Sequence, residues 1–187
     1  MNEIQRVQQV LSGNTSAFAY FVDTYQDMAI TIANRICGNM QDAEDVVQES
    51  YVKAFRNLHS FRSDSKFSTW LYRIVYNTAI THAKTQMWLG SREAAVVADD
   101  AIHLADNTFE LNMEAAERRE MVSDVMQKMP AGEALLLTLY YLEDNPVKEI
   151  AKITGLNESN VKVKLFRARK LFKEMAVSNY GIQITGS

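Results

Sequence analysis

The segment FSTWLYRIVYNTAITHAK, residues 67–84, constrains the fold most, because it has the length of a helix and contains neither Gly nor Pro. Apolar side chains recur on one side of it at helical spacing, which predicts a stripe that packs into a core. That stripe consists of Phe67, Leu71, Ile74, Val75 and Thr78. The other faces mix rings, cations and amides; we call them the mixed faces, and they carry Thr69, Tyr72, Arg73, Tyr76, Asn77, Ile80 and Lys84.

Two interpretations of the mixed faces stay open. Proteins hold single-stranded nucleic acid with rings that stack on bases and cations that neutralise phosphates, and this segment supplies both. Alternatively, Tyr72, Tyr76 and Ile80 pack under a neighbouring helix as a second core surface. Other parts of the chain are needed to choose between the two.

An all-helical fold is predicted because the chain has few breaks. The 187 residues include seven Gly and two Pro, and no segment alternates apolar and polar residues in the manner of a strand. With 47% hydrophobic residues, the chain can bury an ordered core. No apolar run approaches the ~20 residues of a membrane span, and Met1 to Leu11 is too polar for a signal peptide, so we expect a cytoplasmic protein.

The sequence offers no catalytic or metal-binding constellation. The single cysteine, Cys37, ends an apolar helical pattern and is predicted to be a buried thiol. His59, His82 and His103 lack the spacing of metal ligands. We therefore predict a protein that is not an enzyme, has no cofactor or metal and takes no small-molecule substrate.

Helices are also predicted before residue 67. They cover Asn2 to Leu11, Ala17 to Cys37 and Ala43 to Leu58, with Gly38 ending the second and Asp42 capping the third. The buried side of the third helix is predicted to consist of Val47, Tyr51, Ala54 and Leu58. Its opposite side carries Asp45, Gln48, Glu49, Val52 and Arg56. That side is either an ordinary solvated face or a contact surface for a partner.

Charge divides the chain into parts. Residues 1–84 hold eight Lys/Arg and eight Asp/Glu, residues 85–117 hold one against seven, and residues 118–187 hold eleven against eight. The net charges are therefore zero, −6 and +3. Residues 85–113 also lose helical periodicity, so we interpret them as a flexible acidic linker between two domains, 1–84 and 114–178, followed by a tail, 179–187. A purely solubilising tether is the alternative interpretation of the linker.

The second domain contains a predicted helix-turn-helix. Helices from Glu114 to Met129 and from Ala134 to Leu142 precede a short helix, Val147 to Thr154, a turn at Gly155, and a longer helix that Asn157 caps and that ends near Met175. The longer helix has a net charge of +4, from six cations against two acids. Its inner stripe is predicted to be Val161, Leu165, Ala168 and Phe172. Its other faces either enter a DNA major groove or are simply solvated.

Two blocks of the sequence carry a family resemblance. GNMQDAEDVVQESYVKAF followed by SFRSDSKFSTWLYRIVYNTA resembles the second conserved domain of bacterial extracytoplasmic-function (ECF) sigma factors. MPAGEALLLTLYYLEDNPVKEIAKITGLNESNVKVKLFRARKLF resembles their fourth domain. The resemblance covers residues 14–84 and 114–175, and the blocks stand in the family's order and spacing.

This resemblance implies a function and a set of site residues. It implies an alternative sigma factor of the sigma-70 family that binds core RNA polymerase, recognises the −10 and −35 promoter elements and directs transcription initiation. The residues implied to contact the β′ clamp helices of the polymerase are Asp45, Gln48, Glu49 and Arg56. Those implied at the −10 element are Phe61, Arg62, Ser63, Lys66, Trp70, Arg73, Tyr76, Asn77 and Lys84. Those implied at the −35 element are Ser159, Asn160, Lys162, Val163, Lys164, Phe166, Arg167 and Lys170. Further implied partners are the polymerase β flap, promoter DNA and an anti-sigma factor, which in this family is often membrane-anchored.

Three other classes of protein are alternatives. A helix-turn-helix regulator of another kind, such as a response-regulator output domain with a helical sensor, would bind promoters without core polymerase. A helical hydrolase or transferase would need a nucleophile–base pair or ligand spacing, and the sequence has neither. The helix of net charge +4 argues against an interaction adaptor without a DNA function. We therefore predict an all-α protein of two small helical domains joined by a flexible acidic linker, the second domain being a helix-turn-helix.

Overall fold

A computed structural model describes residues 2–88 and 115–181, and every regular element in these ranges is helical. The α-helices are α1 (Glu3–Leu11), α2 (Ala19–Cys37), α3 (Met40–Arg56), α4 (Phe67–Trp88), α5 (Ala115–Lys128), α6 (Ala131–Leu137), α7 (Val147–Thr154) and α8 (Glu158–Tyr180). Short 3₁₀ turns cover Thr15–Phe18 and Leu58–Ser60, and a π-helical turn covers Thr138–Leu142. The predicted all-α fold is confirmed.

The first region, α1 to α4, is organised around a core that α2, α3 and α4 share. The stripe predicted on α4 lies in it: Phe67, Leu71 and Val75 are each 1% exposed or less. Phe67 stacks on Phe21 of α2 with ring centroids 4.0 Å apart, and Ile32 of α2 is fully buried. Burial of such large apolar side chains is the main term that stabilises a three-helix core.

The start of α3 differs from the prediction. Asn39, and not Asp42, caps the helix: its side chain accepts a hydrogen bond from the backbone N–H of Asp42 at 2.8 Å. Asn39 has extended backbone angles, φ −153° and ψ 152°, as an N-cap residue requires. The helix therefore begins at Met40 and ends at Arg56, and Leu58 follows in a 3₁₀ turn. The predicted ending of α2 is confirmed, with Gly38 left-handed at φ 72°.

The second region, α5 to α8, has its own core. Met121 and Val125 of α5, Leu139 of the π-helical turn and Ile153 of α7 are fully buried. Ala116, an apolar residue in the first turn of α5, is exposed. The bounds predicted for α7 match the structure, Gly155 ends it at φ 76°, and Asn157 accepts a bond from the backbone N–H of Asn160 at 2.7 Å.

Several predicted boundaries shift. α6 begins at Ala131, three residues before the predicted Ala134, and its predicted last residues form the π-helical turn. α4 continues to Trp88, so the first residues assigned to the linker are helical, and residues 89–113 of that linker lie outside the described residues. α8 continues to Tyr180, five residues beyond the predicted end near Met175. Tyr180 there donates a hydrogen bond to Asp124 Oδ2 of α5 at 2.7 Å, a contact that extends the packing of α8 on α5 and supports the extra turn.

The two regions contact each other. α7 packs along α4, and α6 packs against α2. No helix within residues 2–88 and 115–181 is long and apolar enough to cross a membrane.

Candidate nucleic-acid interface

The side chains predicted to bind core polymerase lie together on the outer face of α3. Asp45, Gln48, Glu49 and Arg56 are all exposed, whereas the predicted buried stripe on the other side of the helix is 9% exposed or less at every position. Glu49 pairs with Lys53 at 2.8 Å, between side chains that are 55% and 44% exposed. This face is therefore charged and accessible, and these four side chains lie outside the core.

Apolar side chains extend this face beyond the predicted residues. Val52 is 47% exposed and Phe55 is 40% exposed. Phe55 also contacts Phe18 edge to face at a centroid distance of 5.2 Å, so its ring is held in place. The sequence prediction missed Phe55. Its position next to Arg56, away from the predicted buried stripe of the helix, already indicated that it is exposed.

The loop between α3 and α4 presents an anchored ring beside exposed polar side chains. Arg62, Ser63 and Lys66 are exposed, and Ser63 has a left-handed backbone at φ 58°. Phe61 is half-buried against Trp70, with centroids 5.6 Å apart, and against Phe67 at 5.4 Å. The rings of Phe61 and Trp70 are therefore fixed by the core while part of each stays accessible.

The mixed faces of α4 are divided between core and surface. Arg73, Asn77 and Lys84 are exposed, as a nucleic-acid surface requires. Thr69 and Tyr72 are each 1% exposed and lie under the second region, so for these two residues the interpretation as a packed surface is the right one. Tyr76 and Ile80 are half-buried. α4 therefore has a packed surface at Thr69 and Tyr72 beside a face of exposed polar side chains.

Burial governs the ionisation of the tyrosines on α4. It raises the pKa of Tyr72 well above the usual value, and the adjacent charge and hydrogen bond of Glu143 raise it further. The Tyr72 hydroxyl donates to Glu143 Oε2 at 3.0 Å. Burial also raises the pKa of Tyr76. Both phenols are therefore neutral across the physiological pH range.

The predicted −35 residues follow the exposed side of α8 with one exception. Ser159, Lys162 and Lys170 are exposed, while Asn160, Val163, Phe166 and Arg167 are half-buried. The inner stripe is confirmed at Val161, Leu165 and Ala168, and Phe172 is half-buried. Lys164 is 8% exposed, so it lies with the inner stripe and not on the outer side.

One cation of α8 is engaged by the second region itself. The guanidinium of Arg169 lies 5.1 Å from the ring centroid of Tyr140 and 5.6 Å from that of Tyr141. Its Nε donates to the Tyr141 hydroxyl at 2.8 Å. Arg169 thus ties α8 to the π-helical turn, an arrangement worth ~0.5–1 kcal/mol at an exposed site. Charge counting alone does not separate it from cations that face DNA.

The described residues contain no group of three or more His, Cys, Asp or Glu side chains that could hold a metal ion. Cys37 is 7% exposed, in agreement with its prediction as a buried thiol. The arrangement therefore offers surfaces for binding: an accessible face on α3, rings and cations at the start of α4, and a basic outer side on α8.

Both regions match models of a known protein family. Residues 21–89 match the family model for sigma-70 region 2, and residues 119–172 match that for sigma-70 region 4. The ECF RNA polymerase sigma-E factor of Haemophilus influenzae is 35% identical over 177 residues, covering 91% of each chain. The ECF RNA polymerase sigma factor SigW of Bacillus subtilis is 30% identical over 178 residues, covering 91% of this chain and 94% of its own.

Solved structures show the same fold. CnrH, in a complex with the cytosolic domain of CnrY, aligns with a TM-score of 0.63 at 22% identity over 93% of this chain and 96% of its own. The sigma factor RpoE of Bartonella quintana, in a complex with the anti-sigma factor NepR, aligns with a TM-score of 0.62 at 20% identity over 87% and 98%. On the family models and the curated relatives, this chain belongs to the ECF sigma factors of the sigma-70 family.

Proposed function

We propose that this protein is an alternative sigma factor that binds core RNA polymerase, recognises −10 and −35 promoter elements and directs transcription initiation. The observation that carries the proposal is that the sigma-70 region 2 and region 4 matches each contain a separate exposed surface of suitable chemistry. The chemistry of RNA synthesis would belong to the polymerase, so the chain itself would not be an enzyme. Its place of action would be the cytoplasm.

Docking on core polymerase is assigned to the outer face of α3. A face that combines exposed acids, an amide and an arginine with the partly exposed Val52 and Phe55 resembles the mixed composition of protein interfaces. The β′ clamp helices are the proposed partner of Asp45, Gln48, Glu49 and Arg56. The β flap is the proposed partner of the second region.

Recognition of the −10 element is assigned to the loop after α3 and the first half of α4. Stacking on a ring is worth ~1–3 kcal/mol per base, and unpairing a base costs a few kcal/mol. The anchored rings of Phe61 and Trp70 could offset that cost for one or two bases. Arg62, Lys66 and Arg73 are exposed nearby and would contact phosphates.

Recognition of the −35 element is assigned to the outer side of α8. Lys162, Arg167 and Lys170 supply cations there, while Ser159 and Asn160 at the start of the helix supply polar groups that can reach base edges. Lys164 is buried in this arrangement, so its proposed DNA contact would need its long side chain to extend outward.

A protein partner that restrains the chain is also proposed. Among solved structures of this fold, the sigma factor RpoE of Bartonella quintana is in a complex with the anti-sigma factor NepR, and CnrH is in a complex with the cytosolic domain of CnrY. We propose a cognate anti-sigma factor for this chain as well.

Reconstitution with core polymerase tests the proposal. The purified protein should co-elute with core polymerase on gel filtration, and the complex should select two conserved elements at fixed spacing from a random double-stranded DNA library. Selection of one element by the free protein, without any complex with polymerase, would instead identify an ordinary helix-turn-helix regulator.

A further inference from the structure

The side chain of Lys53 connects the proposed polymerase-docking face of α3 to α4. Its Nζ lies 2.8 Å from Glu49 Oε1, one turn earlier on the same helix. Nζ also donates a hydrogen bond to the hydroxyl oxygen of Thr78 on α4 at 3.2 Å. An ammonium group has three N–H donors, and here one bonds each helix. Lys53 is therefore held between α3 and α4.

Thr78 gives Lys53 an acceptor whose position the core sets. Thr78 is 4% exposed, and its neighbours Val75 and Ala79 are fully buried. The helices α3 and α4 pack along each other at this level. A β-branched side chain such as threonine has few χ1 rotamers in a helix, so packing on both sides leaves its hydroxyl little freedom. The Lys53 ammonium is thus tied to a group that does not move with solvent.

This tie changes what the Lys53–Glu49 ion pair can do. The two side chains are 44% and 55% exposed, and an exposed pair of this kind usually contributes little because both long side chains must lose freedom to form it. Here the bond to Thr78 already restricts Lys53. The Glu49 carboxylate therefore meets a positive charge at a defined place on the outer face of α3.

A carboxylate with a defined position favours binding of a partner. Association orders the long side chains of an interface, and that ordering lowers affinity. A side chain that is held in its bound position beforehand avoids part of this loss. Glu49 is one of the side chains assigned to the docking face, so the restraint acts on a group that the partner would contact.

We propose that Lys53 and Thr78 are positioning residues for polymerase docking: Thr78 fixes the Lys53 ammonium, and Lys53 holds the Glu49 carboxylate in place for core polymerase. The inference rests on the proposed docking of core polymerase on α3. Thr78 is buried and does not touch the partner, so its effect on docking passes through Lys53 and Glu49.

The test variant is Thr78→Val, which replaces the hydroxyl by a methyl group of similar size. It leaves both charges of the ion pair on α3, whereas a substitution of Lys53 would also change the electrostatic attraction to a partner. Thr78→Ser keeps a hydroxyl at the same position and serves as the rescue variant. Thr81→Val is the matched control on the same helix, because the exposed Thr81 hydroxyl donates to the Asn77 carbonyl of α4 itself at 2.8 Å.

The measurement is the affinity of each full-length protein for core polymerase, by fluorescence competition. Thr78→Val should bind about threefold more weakly, near the lower end of the loss expected when one long side chain must be ordered on binding. Thr78→Ser and Thr81→Val should bind as the unmodified protein does. Circular dichroism and urea titration verify that all variants are folded.

A double-mutant cycle with Glu49→Ala separates positioning from a general effect on packing. Glu49→Ala alone should weaken binding. Thr78→Val should cause no further loss in the Glu49→Ala protein, because the carboxylate that it positions is absent. A change in the packing of α4 alone would lower affinity equally with and without Glu49.

Each contrary result overturns a defined step. Unmodified affinity of Thr78→Val, or an equal loss with and without Glu49, overturns the positioning role. An equal loss in Thr78→Ser or in Thr81→Val overturns it too, because the bond to Lys53 is then not the cause. Unmodified affinity of Glu49→Ala removes Glu49 from the docking face, and the positioning role fails while the proposed function stands. Failure of the unmodified protein to bind core polymerase contradicts the proposed function itself.

Discussion

Reversing two charges on α3, Asp45→Lys with Glu49→Lys, should weaken binding to core polymerase and leave the protein folded. Both side chains are exposed and lie one turn apart on the face opposite the buried stripe. The folding cost can be worked out from their contacts. Glu49 pairs with Lys53 at 2.8 Å in an exposed arrangement, which is worth ~0.3–0.5 kcal/mol. A lysine at position 49 adds a like-charge contact of similar size, so the free energy of unfolding should fall by no more than ~1 kcal/mol.

The effect on binding should be much larger. Like charges placed opposite each other in an interface cost several kcal/mol, so core-polymerase affinity should fall by ~10-fold to 100-fold, which corresponds to ~1.4–2.8 kcal/mol. The loss should shrink as salt is added, because exposed charges are screened. Affinity is measured by fluorescence competition for core polymerase, and the free energy of unfolding by urea titration followed by circular dichroism.

A matched control is available on α2. Asp23→Lys with Asp27→Lys makes the same change of charge at the same spacing, also at exposed positions. This control should bind core polymerase with nearly unmodified affinity. Unmodified affinity of the α3 variant would refute the assignment of that face, and an equal loss in the α2 control would show that net charge, and not the α3 face, determines binding.

Further predictions concern the DNA surfaces and the buried phenols. Arg167→Ala and Lys162→Ala should weaken binding to the −35 element: a lost base-edge contact costs ~1–3 kcal/mol and relaxes the preference at one base pair, whereas a lost phosphate contact lowers affinity evenly across sequences and flattens the salt dependence. Binding to a panel of mutated −35 elements distinguishes a base contact from a phosphate contact. Unchanged affinity and unchanged sequence preference would refute the recognition surface. Trp70→Ala or Tyr76→Ala should spare the closed complex and impair promoter opening, with partial rescue on premelted templates; absence of rescue together with a large loss of thermal stability would show that these rings serve only the core. Because the pKa of Tyr72 is raised above its ordinary value of 10.0 in the folded chain, the stabilisation from its neutral form should be fully present below pH 10 and lost as pH rises above 10. Urea titrations between neutral and strongly alkaline pH should show this loss of stability, and Tyr72→Phe should make the loss smaller. A pH dependence that Tyr72→Phe leaves unchanged would show that the Tyr72 phenol is not its source.

Local signals in the sequence were enough to predict most of the helices. The bounds of α7, the left-handed Gly155 and the cap at Asn157 follow from residue types within a few positions of one another. The exposed face of α3 follows from helical periodicity, because its buried stripe fixes the opposite side. The wrong cap at Asp42 also has a local cause: Asn39 and Asp42 are both good cap residues, and the structure uses Asn39 as the cap and bonds its side-chain amide to Asp42 Oδ2 at 2.6 Å.

Contacts between distant parts of the chain could not be predicted in this way. The sequence left Tyr72 open between a nucleic-acid face and a second core surface. Its partner Glu143 is 71 residues away, beyond the linker, so no local pattern decides between them. The burial of Lys164 and the engagement of Arg169 by Tyr141 likewise depend on how α8 sits on its own region. Periodicity assigns a side chain to a face, and only the packed structure shows what covers that face.

The proposed function requires that core polymerase initiates at promoters when this chain is bound to it. Run-off transcription with purified core polymerase, over a library of candidate promoter fragments, measures this activity. The protein should yield transcripts of defined length from a subset of templates that share elements at −35 and −10, and core polymerase alone should yield none of them. Stable binding of the protein to DNA with no template-specific transcript in the presence of core polymerase would contradict the claim.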